Sequence, residues 1–220
     1  MPELIEYSNS LEKTIKDSDL QNLTIGLSEV FLDKLIDDGI VRDIPIIGTV
    51  VGLGKATLGI KERLFLKKII YFMSELKNIP SYKRKKMVDK IDSSGKFRTK
   101  VGDKLLFIID SCEDHEKAQI VARLFSAFLT ENLSYQEFLR SSCIVERTVL
   151  EDLNWFIERE DDYFMFEEAG DLLNSGLFSF EIVDPNDYDH KVPHGSELRV
   201  NMNEIGKKIR HVLKNKSRNT

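Results

Sequence analysis

The fold is decided by the stretch "DHEKAQIVARLFSAFLTENLSYQEFLRSSCIVERTVLEDLNWFIERE", residues 114–160. Asp114 can accept a hydrogen bond from the first turn of a helix, and Ser134 with Glu137 makes a capping box for the next helix. Apolar residues recur at helical spacing in the first half and continue as a buried stripe in the second: Ala118, Val121, Ala122, Phe125 and Phe128, then Val145, Val149, Leu153 and Phe156. The stretch predicts an antiparallel helical pair joined by the short connection "TENLS".

Further helices are predicted toward the N-terminus. One begins after Ile60 and is closed by Pro80, which disfavours helix in the residue before it. "SYKRKKMVDKIDS" at 81–93 predicts a basic helix, and the apolar run at 105–109 predicts another that is buried. An amphipathic pattern at 27–35 predicts one more.

The pattern changes after Asp161. "FEEAGDLLNSGLFSFEIV" predicts the end of a helix at Ser175-Gly176 followed by a strand, and "ELRVNM" predicts a second strand. The helix "NEIGKKIRHVLKNK" follows, capped by Asn201 or Asn203. Through "LLNSGLF" and "LRVNMNEIGKKI", this last quarter of the chain resembles the second half of a winged-helix domain, a fold that serves protein contacts as well as DNA.

The predicted fold class is mainly α, a helical bundle body with a C-terminal winged-helix-like module that contains one β-hairpin. We divide the chain into N-terminal helices at 1–43, a helical body at 44–160 with a glycine-rich apolar segment at 44–60, and the module at 161–220. In its general helical pattern, without a motif, the chain is similar to uncharacterised bacterial proteins of the abortive-infection type. That similarity implies a role in bacterial defence.

The charges are arranged in blocks along the chain. Residues 1–54, 55–104, 105–189 and 190–220 carry net charges of -6, +10, -15 and +6. Because like charges held together repel one another, such blocks favour packing or association between oppositely charged segments. The alternative is a set of separately solvated helix faces.

The glycine-rich stretch "IIGTVVGLGKATLGI", residues 46–60, looks like a phosphate-binding loop but differs at two positions that the mechanism needs. Thr49 stands where the first glycine of that motif belongs, and Ala56 stands where the magnesium-binding hydroxyl belongs. The stretch is therefore not an NTPase loop. Gly48, Gly52 and Ala56 instead form a ridge of small residues at helical spacing, which predicts a close packing seam inside the protein or between copies.

Two features concern nucleic acids. The helix that would read DNA, "MFEEAGDLLNS", carries Glu167, Glu168 and Asp171 and no cation. Because phosphate contacts dominate DNA affinity, sequence-specific reading through this helix is not expected. Two basic groups could hold phosphates without sequence preference: Lys83, Arg84, Lys85 and Lys86, and Lys207, Lys208 and Arg210 near the C-terminus.

No residues match a catalytic or metal-binding pattern. "DSCEDHE" at 110–116 gathers potential ligands, but carboxylates are expected at a helix start, where they satisfy free N–H groups. His190 and His194 lie in the loop between the two predicted strands, where a metal site is the less favoured interpretation. We predict no catalytic, cofactor-binding or metal-binding residue, and a protein that is not an enzyme.

The cysteines and the N-terminal residues indicate the cellular compartment of the protein. Cys112 and Cys143 lack the paired spacing of a zinc knuckle or a disulfide scaffold. Residues 1–20 have neither the basic nor the apolar region of a secretory signal. These features predict a cytoplasmic protein with two buried thiols. Association with a membrane on activation belongs to the alternative in which residues 44–60 insert into a bilayer.

One hypothesis leads and two remain as alternatives. The leading hypothesis is a non-enzymatic interaction protein in which the acidic block 105–189 meets a basic partner, either segment 55–104 or another subunit. It would act through its charged surfaces and the small-residue seam. The first alternative is a toxin-like effector that inserts residues 44–60 into a membrane. The second is a nucleic-acid binder without sequence specificity, which would use the two basic groups.

Overall fold

A computed structural model describes residues 2–20, 44–53, 59–182 and 198–217. This part of the chain is mainly helical and contains one small antiparallel sheet, which agrees with the predicted mainly α class. It forms two units, residues 1–138 and 139–220. The amphipathic helix predicted at 27–35 and the loop between the predicted strands fall outside the described ranges.

The first unit is helical. Its helices are α1 (Pro2–Lys16), α2 (Pro45–Leu53), α3 (Ile60–Leu76), α4 (Ser81–Asp92), α5 (Val101–Ser111), α6 (His115–Leu129) and the start of α7 (Tyr135–Arg147). α6 packs chiefly along α3, whereas α1 packs against α2, α4 and α5. The core between α3 and α6 is aromatic: Phe125 is fully buried, with its ring centroid 5.8 Å from that of Phe72 and 5.2 Å from that of Phe138.

The second unit combines helices with the sheet. Its elements are the rest of α7, α8 (Leu150–Glu158), β1 (Tyr163–Phe164), α9 (Phe166–Ala169), a 3-10 turn (Gly170–Asn174), β2 (Phe178–Ile182), β3 (Leu198–Met202) and α10 (Glu204–Ser217). The strand order is β1-β3-β2 and both pairings are antiparallel. Phe164 and Phe178 lie on the covered face with ring centroids 5.0 Å apart, and the Phe178 centroid is 5.8 Å from that of Phe156.

The predicted helix starts are confirmed. Asp114 accepts a 2.8 Å hydrogen bond from the N–H of Lys117. The Ser134 N–H donates to Glu137 at 2.7 Å and the Glu137 N–H donates to the Ser134 hydroxyl at 3.2 Å, which completes the capping box. For α10, the structure selects Asn203 as the cap, because its side chain accepts from the N–H of Gly206 at 2.9 Å.

Two local predictions are wrong. Val149 is not part of a buried stripe but is 56% exposed, because the chain leaves the helical conformation there and Val149 becomes the N-cap of α8. Only one of the two thiols is fully buried: Cys112 is, whereas Cys143 is half-buried.

Candidate interaction surfaces

α4 exposes a row of cations because its other face is covered. Met87, Val88 and Ile91 are buried in the first unit, and the lysines on the opposite face of the helix are exposed to solvent. The exposed cations of α4 and of the loop to α5, here called the basic surface, are Lys83, Lys85, Lys86, Lys90, Lys96, Arg98 and Lys100. Three residues of the predicted basic patch, the lysines at 83, 85 and 86, therefore lie where a partner can reach them.

The two carboxylates of α4 offset the charge of the basic surface only in part, and neither forms an ion pair with one of its members. Asp89 forms an ion pair with Lys16 at 2.9 Å, and Asp92 accepts a 2.9 Å hydrogen bond from the N–H of Val101. Burial of Lys16 opposes its charge, but the hydrogen bond to Asp89 and the charge of Glu12 outweigh it, so the pKa of Lys16 is raised. Within the described ranges, no ion pair involves a member of the basic surface.

Arg84 does not belong to the basic surface, which corrects the prediction. Its side chain is 2% exposed, and its guanidinium donates to four backbone carbonyls, those of Ile15, Asp17, Leu76 and Ile79. Ile15 and Leu76 belong to the last turns of α1 and α3, and Asp17 and Ile79 follow those helices. Carbonyls at a helix end have few donors within the helix, although that of Leu76 also accepts from the N–H of Ile79 at 3.0 Å. Burial lowers the pKa of Arg84, against the charge of Asp17, but an arginine stays protonated at neutral pH. Arg84 therefore joins two helix ends inside the unit.

An open groove of about 440 Å³ lies beside the basic surface, between α4 and the turn from α6 to α7. The apolar residues of this α4 groove are Met87, Ile91, Phe97, Phe128, Leu133 and Tyr135. Phe97 packs edge-on against Tyr135 with ring centroids 4.8 Å apart, and the Lys96 ammonium lies 5.7 Å from the Phe97 centroid. The exposed side chains of Lys90, Lys96 and Glu131 complete the lining. Such a groove suits an occupant that is apolar and negatively charged.

Tyr135 makes stability sensitive to alkaline pH. Its side chain is buried, which raises its pKa above the ordinary 10.0, and the charges of Asp92 and Glu12 add to the shift. The raised pKa stabilises the folded state fully below about pH 10, and this contribution is lost as pH rises further, by up to about 1.4 kcal/mol per pH unit. We expect urea unfolding of Tyr135→Phe to show a smaller loss of stability than the wild type between about pH 9 and pH 11. Tyr82→Phe, at an exposed site, should behave as the wild type, and identical curves for all three proteins would contradict the assignment.

The second unit presents carboxylates in residues 160–171, here called the acidic segment. The three carboxylates of the predicted acidic helix, Glu167, Glu168 and Asp171, are exposed on α9 and the 3-10 turn. Glu168 forms an ion pair with Arg159 at 3.0 Å. Glu167 and Asp171 have no ion-pair partner in the described part of the chain. The segment therefore keeps negative charge available for a cation from outside.

The acidic segment also exposes large apolar side chains. Tyr163, Met165 and Phe166 are 43%, 40% and 48% exposed. Single exposed apolar residues are ordinary, but a group of them among charges is typical of surfaces that contact other molecules.

The predicted C-terminal basic group is only partly available. Lys207 is exposed and Lys208 is half-buried on α10. Arg210 is 6% exposed, with its guanidinium carbon 4.7 Å from the centroid of the Phe156 ring and a 2.6 Å hydrogen bond to the carbonyl of Asp161. Like Arg84, it is a buried residue of the core and does not contribute to an exposed basic patch, which is a second correction.

The predicted ridge of small residues is half-buried at Gly48 and exposed at Gly52. α2 buries Ile46 and Ile47 in the first unit, and Gly48 is half-buried beside them. Gly52 is exposed, and no atom lies within 4 Å of the position that a Cβ would take. Ala56 is not among the described residues, so a seam between copies stays a prediction. Of the isoleucines that would enter a bilayer, Ile44, Ile46 and Ile47 are buried in the first unit and Ile60 is exposed, so the membrane alternative stays a prediction.

The described residues also bear on metal binding and on membrane crossing. Over the described ranges, no three His, Cys, Asp or Glu side chains are grouped so that they could hold a metal ion. No helix in those ranges combines the length and apolarity that a bilayer crossing requires. His190 and His194 are not in the part that the structure covers. No protein-family model matches the chain, and no curated protein or solved structure matches it.

Sequence reasoning missed the buried arginines and the α4 groove. Arg84 precedes Met87, Val88 and Ile91 by three, four and seven residues, the spacing of a single buried helix face. That spacing could have identified Arg84 as buried. The α4 groove has no comparable signal, because its lining comes from elements that are about forty residues apart in the chain.

Proposed function

We propose that this protein is a non-enzymatic interaction protein whose basic surface binds an acidic protein partner. The observation that carries the proposal is a set of seven exposed cations that form no ion pair within the described residues. The two carboxylates of α4, Asp89 and Asp92, have other partners, and the lining of the adjoining groove adds Glu131. Uncompensated charge of one sign repels itself and is relieved when a surface of opposite sign approaches. The adjoining α4 groove adds apolar area, which gives a contact more affinity than charge alone.

The second unit supports the same kind of function. We interpret residues 161–220 as a winged-helix-like module, since the sheet order β1-β3-β2 and the helix that follows β3 agree with that arrangement. The exposed carboxylates of α9 favour contact with proteins over contact with DNA. The chain would thus offer two interaction surfaces of opposite sign. A role in bacterial defence rests on the sequence resemblance alone.

Binding of labelled polyglutamate, a model acidic polypeptide, tests the proposal by fluorescence anisotropy. We expect the full chain to bind it at about 50 mM NaCl and to lose about tenfold in affinity by about 300 mM, because salt screens exposed charges. The triple variant Lys83→Glu, Lys85→Glu, Lys86→Glu should bind at least about tenfold more weakly than the wild type at low salt.

A matched variant separates the surface from net charge. Lys61→Glu, Arg147→Glu, Lys207→Glu changes net charge equally at exposed positions that are not part of the basic surface, so its affinity should stay within about twofold of the wild type. Equal weakening by both triple variants would refute a localised surface. Tighter binding of a duplex of about 20 base pairs than of polyglutamate would assign the basic surface to nucleic acid instead.

A further inference from the structure

Two surfaces of this chain match each other in charge and in apolar character. The α4 groove has an apolar floor with Lys90 and Lys96 in its lining. The acidic segment carries Tyr163, Met165 and Phe166 exposed among carboxylates. We infer that the acidic segment of one copy of the chain docks in the α4 groove of a second copy, an inference that rests on the proposed function and names its partner.

The α4 groove suits an aromatic side chain that has carboxylates beside it. Its volume of about 440 Å³ falls in the range of ligand sites, and it is open to solvent on one side. The half-buried Phe97 ring can contact an aromatic occupant, and the buried Tyr135 ring, 4.8 Å from it, supports it from below. Lys90 and Lys96 have no ion-pair partner within the described residues, so both can receive a carboxylate. Glu131 repels carboxylates on its own side, which directs an acidic occupant toward the lysines.

Two contacts of Glu168 hold in place the part of the acidic segment that carries the exposed apolar side chains. Glu168 accepts a 3.2 Å hydrogen bond from the N–H of Met165 and pairs with Arg159 at 3.0 Å, which holds the start of α9. Phe166, the first residue of that helix, is half exposed beside Glu167. The carboxylates that remain without a described partner are Glu160, Glu167 and Asp171. The segment thus brings an aromatic anchor and negative charge together.

The contact joins two different surfaces of the chain. If a twofold axis relates two copies, each copy offers both surfaces to the same neighbour and the assembly closes as a dimer; with any other rotation, each copy offers its groove to one neighbour and its acidic segment to another. Such a heterologous contact produces a ring if the rotation closes and a longer assembly if it does not. Because much of the attraction is between exposed charges, the association should weaken with salt.

Two complementary variants test the inference by size-exclusion chromatography with light scattering. The groove variant is Lys90→Glu, Lys96→Glu, and the segment variant is Glu160→Lys, Glu167→Lys. At about 50 mM NaCl and about 200 µM protein, we expect the wild type to exceed the mass of one copy. Each variant alone should elute at the single-copy mass of 25.4 kDa. An equimolar mixture should associate again, since each variant then meets a surface of opposite sign.

Two further variants separate the docking from general effects of charge and folding. Lys61→Glu, Lys104→Glu matches the net charge of the groove variant but lies outside the groove, and it should associate as the wild type does. Phe166→Ser leaves the charge unchanged and should raise the apparent dissociation constant about tenfold or more, because it removes the aromatic anchor. Thermal unfolding of every variant shows that each is folded.

Three results would overturn the inference: a wild type of single-copy mass at low salt, a mixture of variants that does not associate, or equal loss in the Lys61 and Lys104 control. The polyglutamate experiment shows whether a failure of the docking between copies is also a failure of the proposed function. A single-copy wild type that still binds polyglutamate through Lys83, Lys85 and Lys86 refutes only the docking between copies. A wild type that neither associates with itself nor binds polyglutamate refutes both the docking between copies and the proposed function.

Discussion

Arg84→Met is expected to lower the free energy of unfolding by about 3 kcal/mol, measured by urea denaturation. Methionine fills much of the same space but donates no hydrogen bond. The carbonyls of Ile15, Asp17, Leu76 and Ile79 would then lose a charged donor at the ends of α1 and α3. A buried carbonyl without a partner costs about 1–3 kcal/mol, and the relieved desolvation of the guanidinium offsets part of the total.

Two comparisons isolate the role of the guanidinium. Arg84→Lys keeps the charge but cannot reach four carbonyls with one ammonium group, so we expect an intermediate loss. Lys85→Met makes the same change to methionine at the neighbouring exposed position and should alter stability by less than about 0.5 kcal/mol. If Arg84→Met is as stable as Lys85→Met, the buried arginine does not hold the two helix ends together.

Gly206→Ala is expected to lower the free energy of unfolding by about 3 kcal/mol, because the added methyl group has no room. A Cβ at this position would lie 2.5 Å from the carbonyl oxygen of Leu177 and 2.8 Å from Cγ of Met202. The nearer atom belongs to the backbone, which cannot rotate away. α10 would have to move from the sheet, which breaks the 3.0 Å hydrogen bond from the N–H of Asn203 to the Leu177 carbonyl.

The same substitution at Gly52 is a matched control, for which we expect the opposite change in the free energy of unfolding. Gly52 lies in α2, is exposed, and has open space where the Cβ would go. Gly52→Ala should therefore stabilise the protein by about 0.5–1 kcal/mol through the better helix propensity of alanine. Thermal or urea unfolding of both variants measures the difference, and a loss of equal size at the two glycines would contradict the steric argument.

Helix ends were predicted well because the interactions that set them are local. The caps at Asp114, Ser134 and Asn203 each depend on a side chain and a backbone N–H three residues away. Val149 shows where this reasoning ends. In the sequence Val149 continues the apolar stripe, but the helical conformation is interrupted at this residue. The periodicity on its two sides therefore belongs to two helices and does not describe a single face.

The choice of helix partners could not be predicted from adjacency. α6 and α7 are consecutive and were expected to pair, but in the first unit α6 lies chiefly along α3. Glu75 of α3 accepts from Gln119 at 2.8 Å and lies 3.5 Å from Nε of Arg123, so the polar side of that contact joins residues more than forty positions apart. An amphipathic pattern shows that a face is buried but does not show which element covers it.

Composition and spacing alone determined the helical class, the helix starts at Asp114, Ser134 and Asn203, two of the three described strands and the block arrangement of charge. These follow from neighbours within one or two turns of chain, whereas the short strand β1 (Tyr163–Phe164) forms only by pairing with β3. The tertiary structure decided which charges remain available. It buried Arg84 against carbonyls as far away as Ile15, engaged Asp89 with Lys16, and placed Phe97 beside Tyr135 to form the α4 groove. Each of these outcomes depends on contacts between segments distant in sequence, and such contacts form only when whole helices pack.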